Sequence, residues 1–434
     1  MSSLPALAAR AAPVAARSNF VAAAVIFGLF VLAALLSAER KDITQGFDEV
    51  AHASYVAQIQ HSREAWPAFD SLRMLDPKTF AFTDEANYLN HPPLYYALLA
   101  VLGPDLEGHP PALLTLRLID VAIVGLGFAA LLGLGLSAGL PRHEFFAFAV
   151  PLACIPVLAP LAGAVNNDDL AFLGGAFAIV GAWQLAATNR VGWLGLALCG
   201  VIVAGWAKLT GLALTGALVS AVIAYLIWHR RWRWPSTVAA TLAFLLAALP
   251  YVILMMQYGS PAPDTPALTA MIRHDARVLG LADLPRKSFL GYLSYFVTAF
   301  LAEWMPTLTP RGVFNYAMLV IPVTALICAA AGSFVSVRRL WRRQETALDV
   351  VVVAGAVALV LTFALHVRHS YADHLATGWL MEAYPRYYLP LAAIVPLAGL
   401  SLLGAVQSPR WRAGLLAFLV AGPIAFRILG APLG

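Results

Sequence analysis

The sequence predicts an all-α polytopic membrane protein with about 11 transmembrane helices. Three observations lead there. Of 434 residues, 61% are hydrophobic and only 12% are charged, whereas charged residues make up about a quarter of a water-soluble domain. Apolar runs long enough to cross a hydrocarbon core recur from residue 19 to residue 430. The basic residues between them fall in short clusters, which is how a topology signal looks. The net charge of +5 therefore does not point to nucleic acid.

The first run, 19 to 38, follows an alanine-rich stretch whose charges are Arg10 and Arg17. It is longer than a signal-peptide core and reads as a retained anchor. Further runs fall near 113–138, 145–163, 169–188, 191–207, 209–228, 236–258, 312–336, 347–367, 387–406 and 413–430. Only Lys208 separates 191–207 from 209–228, which makes that turn the tightest in the predicted topology. With the N-terminus in the cytoplasm, thirteen arginines face inward against Glu144, Glu345 and Asp349. This satisfies the positive-inside rule at every short loop and puts the C-terminus outside. Cys154, Cys199 and Cys328 all lie within apolar segments, so no disulfide framework is expected. No internal repeat, Gly-rich dinucleotide turn or phosphate loop is present, and Gly174-Gly175 in mid-span reads as close helix packing.

Two outer connections, 39–112 and 259–311, are far longer than the rest of a chain expected to form one transmembrane domain. Long structured loops tend to carry function. The first holds eleven of the chain's 23 acids. It is expected to form amphipathic juxtamembrane helices, one of them over Leu94 to Leu102 with Pro92 and Pro93 in its first turn. If Phe47 to His52 is helical, Asp48 and His52 share a face with Gln45 and Tyr55, and Glu49 lies one step round.

Polar residues converge on the outer boundary from separate parts of the chain: Asp48, Glu49 and His52; Asn90-His91-Pro92-Pro93-Leu94-Tyr95-Tyr96; Asn166-Asn167-Asp168-Asp169; Lys208; and Arg386-Tyr387-Tyr388. Each has a structural reading as well. Asp168 can serve a helix N-terminus, Lys208 can snorkel, Arg386 with its tyrosines can anchor an interface, and His91 can belong to a turn. His366, His369 and His374, in the loop before the tenth span, are expected at the surface or behind the site. As a set, Asp48 suits a general base for an acceptor hydroxyl, and Lys208 and Arg386 suit a departing phosphate. Asp48 and Asp168, supplemented by His52 or His91, also offer ligands for a divalent cation, without the tight spacing of a dedicated metal motif.

On these residues the sequence resembles the GT-C superfamily of integral-membrane glycosyltransferases, in particular the branch of protein O-mannosyltransferases and aminoarabinose transferases. The motifs are Asp48-Glu49, His91-Pro92-Pro93-Leu94-Tyr95-Tyr96, Asn167-Asp168-Asp169-Leu170, Lys208-Leu209-Thr210 and Pro385-Arg386-Tyr387-Tyr388-Leu389-Pro390. Their order and topology match, most strongly up to about residue 228. The resemblance implies a polyprenyl-phosphate sugar donor and transfer, usually with inversion, to a lipid, glycan or protein at the periplasmic face of a bacterial inner membrane. It implies Asp48, Glu49 and Asp168 as catalytic residues, and Lys208, Arg386 and Tyr387 at the donor phosphate. His52, His91, Tyr95, Asn167 and Asp169 are then expected to contact substrate. His91 departs from a lysine frequent in the aminoarabinose branch, Asp48-Glu49 with His52 is similar to another branch, and a large soluble C-terminal domain of several members has no counterpart. A flippase or transporter would place charges near the bilayer midplane, often in paired repeats. An O-antigen ligase or polymerase shares the donor and the long outer loops but not the early acid pair.

Overall fold

The computed structural model describes residues 8–278, 280–281, 284–303, 320–380 and 384–429. The first apolar run forms α1 (Ala8–Arg40), and the connection after it carries α2 (Glu49–Ser62), the short strands β1 (Arg73–Leu75) and β2 (Phe82–Ala86), and α3 (Leu94–Leu102). The all-α expectation omitted this small antiparallel ribbon, which pairs Arg73 with Ala86 and Leu75 with Phe82. Asp76 caps the turn between its strands by accepting from the Lys78 and Thr79 amides. Then come α4 (Ala112–Ser137), α5 (Arg142–Ala153), α6 (Leu158–Ala162), α7 (Asp168–Thr188), α8 (Val191–Ala207), α9 (Leu209–Trp228) and α10 (Trp234–Tyr258). The second long connection contains α11 (Pro266–Val278) and α12 (Phe289–Glu303). The chain continues through α13 (Val320–Trp341), α14 (Ala347–Thr377), a 3-10 segment (Pro385–Leu391), α15 (Ile394–Ala405) and α16 (Pro409–Leu429).

The protein is a polytopic all-α membrane protein. Among the described residues, eight helices are long and apolar enough to cross a bilayer, or nine if one bent pair counts as a single span. Three of the eleven expected spans account for the difference. The run 145–163 is divided between α5 and α6, with Pro151 inside α5 and Pro156 in the break; proline lacks the amide that would continue the ladder. The run 387–406 bends by 61° between the 3-10 segment and α15, with Pro390 and Pro396 flanking the bend. Helix α8 is apolar but has 17 residues. The start of the expected span 312–336 lies outside the described residues up to 319, as do residues 304–311 of the second connection. Helix α14 runs on to Thr377, so His366, His369 and His374 lie on a helix and not in a loop.

Exposed Phe20, Val25 and Leu29 on α1 and Leu242, Leu245 and Met256 on α10 give these helices apolar outer faces, as a hydrocarbon solvent requires. One end of the bundle gathers the arginine-bearing turns. There Arg231 donates to the Ala186 carbonyl at 3.0 Å and Arg412 to Glu144 at 3.2 Å. Exposed Trp228, Trp234, Trp341 and Trp411 ring the same end, as expected of an aromatic belt. Helix α7 is buried along almost its whole length. A Cβ on Gly174 would come within 2.5 Å of the Ala204 amide of α8, and one on Gly175 would strike the Pro390 backbone. Close packing at these glycines seats the 3-10 segment against α7, at the end opposite the tryptophans. Lys208, extended at φ −162° and ψ 145°, is the whole connection between α8 and α9.

Candidate active site

Four charged side chains from four chain segments meet at that opposite end. Arg386, on the 3-10 segment, donates from Nη2 to Asp48 Oδ2 at 2.6 Å, while its Nε stands 3.6 Å from Asp168 Oδ2. Lys208 Nζ donates to Asp168 Oδ1 at 2.9 Å and sits 3.7 Å from the centre of the Tyr387 ring. The rings of Tyr384 and Tyr387 lie 4.9 and 5.7 Å from the Arg386 guanidinium. The side chains of Lys208, Asp168 and Arg386 are 8%, 2% and 10% exposed, against 42% for Asp48. The cluster therefore has a wet edge at Asp48 and a dry floor at Asp168.

Local backbone sets this geometry. Gly46, Phe47 and Asp48 all have positive φ, at 95°, 63° and 58°. For Phe47 and Asp48 this left-handed conformation is uncommon and is held by contacts from elsewhere. Helix α2 begins only at Glu49, with Asp48 as its N-cap. The predicted shared face of Gln45 and Asp48 with His52 is therefore not formed, and Asp48 instead turns toward Arg386. The Tyr88 hydroxyl donates to Asp48 Oδ1 at 3.0 Å. Desolvation opposes the Asp48 charge, but the Arg386 guanidinium and the Tyr88 hydrogen bond more than offset it and hold the carboxyl down to about 2.

His52 is buried behind this edge. The Asn166 side-chain amide, 3.1 Å from Nε2, donates there, so the neutral ring carries its proton on Nδ1, 2.9 Å from the Tyr96 hydroxyl. Burial holds His52 down to about 3 and His91 well below the usual imidazole range. The two rings lie nearly parallel, with centroids 6.1 Å apart. Asn166 also donates to the Phe47 carbonyl and accepts from the Asp168 amide. It ties the two acidic turns together.

The remaining predicted residues lie deeper. Glu49 is fully engaged: Arg117 donates to both its oxygens at 2.7 and 2.8 Å, and the Val165 amide donates to Oε1 at 2.9 Å. Tyr95 donates to buried Asp120, and Asp169 is buried near Asp120 with no hydrogen-bond donor to its carboxylate among the described residues. Asn167 donates to the Ala207 carbonyl. His366 pairs with the Tyr388 hydroxyl at 3.0 Å, and His374 accepts from the Lys287 amide. Tyr88 and Arg117 were not singled out from the sequence, because neither belongs to a motif.

A divalent cation does not fit this arrangement. The carboxylates of Asp48 and Asp168 are engaged by Arg386 and Lys208, and both His52 nitrogens have partners. Among the described residues, no group of three or more His, Cys, Asp or Glu is arranged to hold a metal ion. An apolar cavity of about 240 Å3 lies against the 3-10 segment that carries Arg386, lined by Phe300, Leu326, Val360, Phe363, Tyr388 and Val395. Its walls include Pro385 and Tyr388, which bracket Arg386 and Tyr387. A neighbouring apolar cavity shares Leu326, Ala392 and Val395 with it.

Comparison with solved structures bears on the fold alone. The crystal structure of ArnT from Cupriavidus metallidurans in the apo state is similar over 92% of this chain, with a TM-score of 0.51 and 14% sequence identity. This chain spans 62% of that structure's length. A structure of the same protein bound to undecaprenyl phosphate covers 94% of this chain and 87% of its own, at 13% identity and a TM-score of 0.39. At such identities the likeness concerns architecture. No protein-family model and no curated protein matches the sequence.

Proposed function

We propose that the protein is a glycosyltransferase that moves a sugar from a polyprenyl-phosphate donor to a hydroxyl of a lipid, glycan or protein acceptor, with inversion. The observation that carries this reading is the Asp48–Arg386–Asp168–Lys208 cluster, with an apolar cavity against the segment that supplies Arg386. A donor with a phosphate and a long apolar chain needs fixed cations next to an apolar channel. A sugar transfer further needs a carboxylate exposed at their edge. Charges gathered at one end of the bundle also fit a transferase better than a transporter that binds cargo at the midplane.

In this reading Lys208 and Arg386 hold the donor phosphate and stabilise the negative charge it gains as the bond to the sugar breaks. Asp48 takes the proton of the acceptor hydroxyl as its oxygen attacks the anomeric carbon, and the polyprenyl phosphate leaves from the opposite face. In the resting protein Asp48 is a weak base, because Arg386 holds its carboxyl down to about 2. When donor phosphate engages Arg386, that hold weakens and the affinity of Asp48 for a proton rises. Donor binding thus activates the base. Asp168 keeps Lys208 and Arg386 in place, and Glu49 supports the Asp48 turn. By the positive-inside rule the arginine-rich end is read as the cytoplasmic one, and in this reading the site works on the periplasmic side of a bacterial inner membrane.

The test is to incubate detergent-purified protein with a panel of polyprenyl-phosphate sugars and candidate acceptors and to follow donor consumption. Consumption of at least one donor by the wild type, slowed by about a thousandfold in Asp48→Asn, supports the assignment. Equal consumption by both proteins refutes Asp48 as base.

A further inference from the structure

We propose that Arg117, which touches neither Asp48 nor Asp168, is the positioning residue that fixes these two carboxylates relative to each other. This rests on the catalytic reading above. Arg117 is 4% exposed and lies near the start of α4. Its Nε and Nη2 donate to the two Glu49 oxygens at 2.7 and 2.8 Å, and its Nη1 donates to the carbonyls of Ala38 and Lys41, both at 2.8 Å. Helix termini leave their last carbonyls without intrahelical partners, and one guanidinium here satisfies two at the end of α1. Glu49, oriented by that bidentate grip, accepts from the Val165 amide at 2.9 Å.

One side chain thus joins three pieces of chain: the end of α1, the start of α2 and the turn that leads into α7. Asp48 precedes Glu49 by one residue, and Asp168 follows Val165 by three. The two residues before Glu49 are in the left-handed conformation, which neither Phe47 nor Asp48 favours in isolation. Without the Glu49 anchor they can relax, and Asp48 then moves relative to Asp168. Asn166, through the Phe47 carbonyl and His52, and Arg386, through both carboxylates, also link these turns; Arg117 adds the tie to the carbonyls at the end of α1. Lys208 sits at the α8–α9 junction and Arg386 on the 3-10 segment packed against α7 at Gly175, so the backbones that carry the phosphate cations keep their places when Arg117 is changed. This separates positioning from binding. A lysine at 117 keeps the charge but cannot grip both Glu49 oxygens and two carbonyls at once.

The variants are Arg117→Lys and Glu49→Gln, the second keeping an oxygen to accept from Val165 while losing the bidentate pairing. Steady-state transfer is measured with varied donor, together with hydrogen exchange of peptides spanning 44–52 and 163–169. The expected result is a loss of kcat of about 100-fold, the scale of a misplacement of about 1 Å. Donor KM stays within about threefold of wild type and exchange quickens in those two peptides. Should Arg117→Lys fail to fold, Glu49→Gln decides by the same measurements. Unchanged kcat with unchanged exchange, or KM rising in step with a falling kcat, overturns the proposal. If the wild type consumes no polyprenyl-phosphate donor, the function reading fails by itself. Exchange then decides for Arg117: faster exchange confined to the two peptides retains its hold on the turns, and unaltered exchange removes it.

Discussion

Asp48 and Arg386 are separated by 338 positions in the chain and meet at 2.6 Å, the shortest contact of the charged cluster. The pair is half exposed on the carboxylate side and buried on the guanidinium side. This asymmetry lets a ligand reach Asp48 from solvent while Arg386 stays fixed. Replacing the carboxylate by its amide tests the chemistry with little change in shape. Asp48→Asn is expected to lower kcat by about a thousandfold, within the usual reach of a positioned general base. Donor affinity should fall little or rise, because Arg386 loses a competitor for the phosphate. Donor binding measured alongside turnover checks both halves.

Arg386 and Lys208 predict the opposite pattern. Arg386→Lys keeps the charge but loses the planar fork and its stacking between Tyr384 and Tyr387. A hydrogen bond to a charged group contributes about 1.5–3 kcal/mol, so donor KM should rise by about 10- to 100-fold. Lys208→Met should do the same and also leave buried Asp168 without the hydrogen bond from Lys208. A lowered melting temperature is therefore expected for Lys208→Met and not for Arg386→Lys. Turnover with varied donor and thermal unfolding in detergent distinguish the two.

The pH dependence follows from two depressed values. Asp48 in the free protein is held down to about 2 by Arg386. The stability from that pair is present above the ordinary carboxylate value and lost as pH falls through about 2. With donor phosphate on Arg386, the Asp48 value climbs toward the ordinary carboxylate range. The acid limb of kcat should then lie at higher pH than any contribution of Asp48 to kcat/KM. His52 is held down to about 3 by burial, so between the ordinary imidazole value and about 3 the unfolded chain binds a proton that the folded protein excludes. Stability contributed by neutral His52 is lost as pH falls through that window. His52→Gln should flatten the decline, which melting curves at successive pH values would show.

Much of this was legible in the sequence, for identifiable reasons. Hydrocarbon demands long apolar runs, so eight expected spans are present as qualifying helices. Hydropathy does not register a break, so prolines at 151 and 390 interrupt runs that composition alone makes continuous. Asp48, Asp168, Lys208 and Arg386 were visible because a charge bordering an apolar run is conspicuous, and the structure brings the four together. Tyr88 was not visible, since it lies in a polar loop with no period. Arg117 was not either, because its partner Glu49 is 68 positions away and nothing in local spacing announces the pair. The left-handed turn at Phe47 and Asp48 was also hidden, since neither residue signals a positive φ. That turn is why the expected shared face of Gln45, Asp48 and His52 failed.

Gly175 links packing to the site. It lies on α7 where the backbone of Pro390 presses closest, and a methyl there would meet the Pro390 carbonyl and Cα, not a side chain able to swing away. The 3-10 segment ending beside Pro390 carries Arg386 and Tyr387. Gly175→Ala is therefore expected to cost about 1–3 kcal/mol in stability, the scale of overpacking a filled interior. It should also raise donor KM, because the cations are displaced together with their segment. Gly133→Ala, on α4, is the control: nothing lies within 4 Å of its added methyl. Removing a mid-helix glycine there should leave stability unchanged or improve it by up to about 1 kcal/mol. If Gly175→Ala lowered the melting temperature while donor KM stayed at the wild-type value, the contact would be packing alone and the link between α7 and the phosphate cations would be wrong.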